Sequence, residues 1–111
     1  MEKFIIEEFL HYKVFIYGRR MEGMAQYSIQ FKIPSGMVVI RFWEGLIPPN
    51  SYEEHNSKYT FYANFGKEKY PIFIDLMRYE KPLFFYYGLD TNLTYMTTSD
   101  EPVGEEESSD D

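Results

Sequence analysis

The sequence predicts a mainly β domain of the α+β kind: a curled antiparallel sheet or small barrel of about five to six strands, with one helix near 70–80. Three observations carry that reading. Aromatic residues make up 20% of the chain, and rings suit a pleated, half-buried surface. Ala25, Tyr27, Ile29, Phe31 and Ile33 alternate with Gln26, Ser28, Gln30 and Lys32, the period of a strand with one wet face. From Tyr70 to Glu80 the period lengthens to that of a helix.

Taken in order, residues 4–18 read as one long strand with room for a bend, firmest over Val14-Phe15-Ile16-Tyr17 and ended by Gly18. Its first half, Phe4 to Leu10, is equally compatible with a short helical turn. Arg19 to Gly23 is a polar connection. The alternating strand 25–33 reaches the turn Pro34-Ser35-Gly36, and Met37 to Trp43 returns as its hairpin partner. Glu44 to Ser57 reads as a long polar loop carrying Pro48-Pro49-Asn50, and Tyr59 to Phe65 as a further strand. Pro71 is tolerated in a first helical turn, Ile72, Phe73, Leu76 and Tyr79 come at helical spacing, and Pro82 stops the helix. Leu83 to Tyr87 and Leu93 to Thr98 then close a hairpin around the turn 88–92. An OB arrangement, a five-stranded barrel with a helix after its third strand, is loosely compatible, although an extra strand precedes the helix here.

At 111 residues the chain accommodates one domain, read as a β-rich unit over 1–99. The net charge of −7 arises entirely from residues 100–111. Residues 1–99 carry eleven acidic and eleven basic side chains, whereas residues 100–111 add seven acids and a single aliphatic residue, Val103. Such a segment cannot bury enough surface to order itself, so 100–111 reads as a disordered acidic tail, either solubilising or competing with an anionic partner. The absence of cysteine favours the cytoplasm, and Met1 to Glu8 has acids where a secretion signal has bases. No apolar run approaches the ~20 residues of a membrane span.

Motifs for chemistry are scarce. Glu8 and His11 have the Glu-x-x-His spacing of helical metal sites, but those sites need a second such motif and further carboxylates. His55 falls in the polar loop. There is no cysteine nucleophile and no Gly-x-Ser-x-Gly, and the seven glycines are too scattered to cradle phosphate. No catalytic residue, cofactor or metal is therefore assigned.

The aromatic residues are the remaining signal, because both faces of several strands carry them: Phe42 opposes Trp43, and Phe61 opposes Tyr62. Unless both faces are covered, some rings stay exposed. The expected function is a non-enzymatic binding or assembly module, a homodimer or partner-binding accessory protein of the size phages and mobile elements carry. Its expected surface comprises Arg41, Trp43, Tyr52, Tyr59 and Phe61 beside the 44–57 loop. An OB-like binder of single-stranded nucleic acid is the runner-up. Arg19, Arg20, Arg41, Lys58, Lys67 and Lys69 interleave with rings, yet the balanced body counts against a net basic face. A small-molecule-binding barrel lined by Phe and Tyr is the third reading.

Overall fold

A computed structural model describes residues 3–18 and 24–100. Among the described residues eight strands and one helix come in the order β1 Phe4–Phe9, β2 Lys13–Ile16, β3 Tyr27–Ile33, β4 Gly36–Trp43, β5 Ser51–His55, β6 Lys58–Gly66, α1 Tyr70–Tyr79, β7 Leu83–Gly88 and β8 Thr94–Thr98, with a 3-10 turn, Lys67–Lys69, leading into α1. The acidic tail lies outside the described residues from Glu101 onward, as do Arg19 and Arg20.

The strands form two open sheets and do not close into a barrel, so neither the OB arrangement nor a ligand-filled barrel is the architecture. One sheet has the order β2-β3-β4-β6-β5 and the other β1-β7-β8. All pairs are antiparallel except β4 and β6, which run parallel with Val38 beside Phe61 and Arg41 beside Asn64. A tight hairpin cannot join parallel neighbours. Here residues 44–50 carry the chain past the end of the sheet, β5 runs back along its edge, and β6 returns into the gap.

Two boundaries depart from the sequence reading for identifiable reasons. The long strand 4–18 is two strands in different sheets, and the chain crosses between them at Leu10, which is exposed. Residues 51–55, expected as loop, form the edge strand β5; every one of them is exposed, so the burial pattern that marks a strand is missing. The helix and its proline start agree with expectation, but Ile72 and Tyr79 point to solvent, and Phe73, Leu76 and Met77 face the core.

The core lies between the sheets. Ile29, Phe31 and Ile33 of β3, Val38, Ile40 and Phe42 of β4, and Phe61 and Ala63 of β6 pack against Phe9 of β1 and Leu83, Phe85 and Tyr87 of β7. Beside β7, α1 covers the rest of the same face: Phe42 meets Tyr70 and Phe73 edge-on at centroid distances of 5.3 Å each. Such edge contacts add ~0.5–1.5 kcal/mol beyond the area they bury. Glu7 joins the layers at one end, its carboxylate accepting from the Ser35 N–H at 2.8 Å and the Ser35 hydroxyl at 2.6 Å. With the three-stranded sheet and α1 on one side, no described strand or helix lies over the opposite face of the five-stranded sheet, where Ser28 and Val39 are buried among neighbouring side chains.

Candidate binding face

Strand alternation decides which side chains reach that uncovered face. In β4, Val38, Ile40 and Phe42 point into the core, so Met37, Val39, Arg41 and Trp43 point out. By the same parity β6 presents Lys58, Thr60, Tyr62 and Asn64, β3 presents Ser28, Gln30 and Lys32, and β2 presents Lys13 and Phe15. Register sets the rows across the sheet. Lys13, Gln30, Val39 and Tyr62 form one; Phe15, Ser28, Arg41 and Asn64 the next; Tyr17 and Trp43 flank Gln26 in a third.

The middle of this face is held in place. The Arg41 guanidinium lies over the Tyr62 ring, 4.7 Å from its centroid. Trp43 Nε1 donates to Asn64 Oδ1 at 2.8 Å, which fixes the indole while leaving it half-buried. The Tyr17 hydroxyl meets the buried Ser28 hydroxyl at 3.0 Å, and the Tyr17 and Phe15 rings lie nearly parallel. Tyr17, Met24, Ala25, Arg41 and Trp43 line a hollow of about 300 Å³ at this end.

Asn64 also anchors the 44–50 crossing. Its Nδ2 donates to the Pro49 carbonyl at 2.9 Å, and its backbone N–H donates to Asn50 Oδ1 at 2.7 Å. Asn50 Nδ2 in turn donates to the Asn92 carbonyl at 2.9 Å. The loop expected to flank the binding surface is therefore pinned to it.

Of the five residues expected on one surface, the structure brings two together. Arg41 and Trp43 share the outer face, while Tyr52, Tyr59 and Phe61 lie on the core side. Phe61 is fully buried and is corrected to a core residue: its ring lies 4.9 Å from Tyr87 and 5.3 Å from Tyr59. Tyr52 closes this cluster from the edge, edge-on to Tyr87 at 5.6 Å, and its hydroxyl donates to the Leu89 carbonyl at 3.2 Å. Tyr87 donates its hydroxyl to Asn92 Oδ1 at 2.7 Å. Burial, followed by the neighbouring Tyr52, pushes its pKa up to about 12.

Strand parity is the reason for the split. Composition alone groups Trp43 with Phe61, whereas Phe61 sits beside the inward Val38 and Trp43 has the opposite parity. The side chains that composition does not single out, Phe15, Tyr17, Tyr62 and Asn64, share the outer face with Arg41 and Trp43. The opposition of Phe61 to Tyr62 is visible in the sequence. Which of the two rings faces out is not, because that depends on the side the second sheet covers.

The face is also polarised. Strand parity turns Lys13, Lys32, Arg41 and Lys58 outward with Glu53, while Glu54 has the opposite parity and the Glu44 carboxylate accepts from Gln26 at the Trp43 end, on a body whose charges balance. Lys67, expected among these cations, instead pairs with Glu44 at 2.7 Å on the 3-10 turn side. Lys69 stands on that same turn.

Two other surface features stand out. An apolar cleft of about 570 Å³ opens where β1 leaves its sheet, lined by Phe9, Leu10, Tyr12, Phe31 and Ile33 and reaching Lys13, Lys32 and Met37 of the outer face. On the outer side of the three-stranded sheet, Tyr86 stacks between Phe4 at 5.4 Å and Tyr95 at 4.4 Å. Among the described residues no group of three or more His, Asp or Glu side chains could hold a metal, and no helix is long and apolar enough to cross a membrane. No protein family, curated protein or solved structure matches the chain.

Proposed function

We propose that this protein is a non-enzymatic binding module that docks its partner on the outer face of the five-stranded sheet, around Arg41, Trp43 and Tyr62. The observation that carries this reading is the pre-positioning of those side chains on an uncovered face. Arg41 rests on Tyr62 and Trp43 is tethered by Asn64, although none of the three is needed to seal the core. Groups fixed before contact lose little freedom when a partner arrives, which is how a small face acquires affinity. Trp, Tyr and Arg are also the side chains that dominate binding energy at recognition surfaces.

A fragment screen read by amide chemical shifts tests it. Small planar aromatic fragments added to the full chain are expected to shift amides of β2, β3, β4 and β6 around Arg41 and Trp43. Hits confined to Phe9, Tyr12, Phe31 and Ile33 of the cleft, with Arg41 and Trp43 unmoved, would overturn this assignment in favour of a small-molecule site.

Self-association is a second reading, favoured by the apolar outer side of the three-stranded sheet. Phe4, Ile6 and Tyr95 are 51%, 46% and 43% exposed there, an arrangement suited to a twofold copy of itself. Light scattering on the wild type and on Tyr95→Lys decides it: a dimer that dissociates in the variant supports this interface, and a wild-type monomer at high concentration removes it.

A further inference from the structure

Resting on the binding-face reading, we infer that the ligand of the five-stranded sheet's outer face is single-stranded nucleic acid. The chemistry of the face is the argument. Along the strands the rows lie ~6.6–6.8 Å apart, and they divide by character. Lys58 and Lys32 occupy the rows toward one end, Lys13 and Tyr62 share the middle row, and Phe15, Arg41, Tyr17 and Trp43 fill the rows beyond. A chain of phosphates finds cations at one end and across the middle. Its unpaired bases find rings at the other, together with a guanidinium already held over the Tyr62 ring.

Charge separates this ligand from a protein partner. Protein interfaces are depleted in lysine, yet three of the four outward cations of these strands are lysines, and Glu53 is the strand carboxylate that shares their parity. The overall acidity of the chain does not oppose the assignment, because the excess acids belong to residues 100–111 and not to this face. Rings separate it from a duplex, whose bases are already stacked on each other and offer only phosphates to such a surface. Stacking adds ~1–3 kcal/mol per base and tolerates any base, so the expected recognition follows strandedness more than sequence.

The test is fluorescence anisotropy of a labelled oligo-dT of about ten nucleotides, within the usual site size for such modules, titrated with the full chain. Saturable binding is expected, weakening by about 20–50-fold between 50 and 200 mM salt if three or four phosphates are neutralised. The triple variant Lys13→Gln, Lys32→Gln, Lys58→Gln is expected to lose most of that salt dependence. Trp43→Ala is expected to weaken binding by about tenfold while its circular dichroism stays that of the wild type. A duplex of equal length should bind more weakly.

Absence of saturable binding at 50 mM salt overturns the inference. If fragments nevertheless map to Arg41 and Trp43, the binding face stands and its ligand is of another class. Equal binding of duplex and single strand, with Trp43→Ala silent, equally overturns it, since charge alone would then account for the affinity.

Discussion

Phe61→Ala and Trp43→Ala, compared side by side, separate the core from the working face. Phe61 is fully buried with rings from Tyr59, Tyr87 and Phe85 at 5.3, 4.9 and 5.7 Å, so its truncation leaves a cavity walled by aromatics that cannot collapse into it. Phe→Ala at such a site costs ~3–5 kcal/mol. That is a large part of the ~5–15 kcal/mol that holds a domain together. With a urea dependence of about 1.5 kcal/mol per molar, the midpoint should fall by ~2–3 M with its slope unchanged. Trp43 is half-buried on the open face, and its truncation removes one hydrogen bond to Asn64, a net loss of ~0.5–1.5 kcal/mol, plus a modest loss of packing. Urea unfolding followed by circular dichroism reads both. Phe61→Ala should be the stability variant, and Trp43→Ala should stay folded while losing ligand. Equal destabilisation by the two, or a Phe61→Ala midpoint within ~0.3 M of wild type, would refute the division of the faces.

Gly36→Ala should destabilise by ~3 kcal/mol or more, read as a lowered thermal midpoint. Gly36 has φ of 152°, and a Cβ there would meet the Tyr59 backbone, including its N at 2.8 Å, where β4 and β6 begin their parallel pairing. Stability should also decline as pH rises from the ordinary tyrosine value of 10.0 toward about 12, because folded Tyr87 keeps a proton that the unfolded chain has lost. Tyr70, raised mainly by burial and then by Tyr27, adds to the same decline. Tyr87→Phe should flatten it when urea midpoints are compared across that window, and a slope equal to wild type would contradict the cause given. Replacing the seven acids of residues 100–111 by their amides should tighten oligo-dT binding several-fold at low salt, with the gain vanishing at high salt if the tail competes for the face.

Legibility in the sequence tracks burial. The alternation of 27–33 announces β3 because its inward residues seal the core and its outward ones do not. Pro71 and Pro82 bracket α1 through backbone chemistry that does not depend on tertiary context. β5 leaves no trace, because an edge strand whose five residues are all exposed has no apolar alternation; only its ladder with β6 makes it a strand. The parallel pairing of β4 with β6 is invisible for a different reason. Local sequence specifies extended backbone, and the neighbour is chosen by the whole packing of two sheets and a helix. The candidate site suffers accordingly. Arg41 and Trp43 can be picked out because arginine beside the sole tryptophan is conspicuous. Tyr62 and Asn64 escape because their outward direction depends on which face of β6 the second sheet covers. The balanced charge of residues 1–99 likewise conceals the four cations that strand parity turns to one face.

Acrylamide quenching of Trp43 tests the central claim most directly, since this chain has one tryptophan and the proposed ligand lies over it. In the free full-length protein the indole should be quenched as a half-exposed ring. With saturating oligo-dT, verified by anisotropy in the same sample, the quenching constant should fall several-fold. A quenching constant unchanged by bound oligo-dT would put the ligand elsewhere and contradict the assignment of this face.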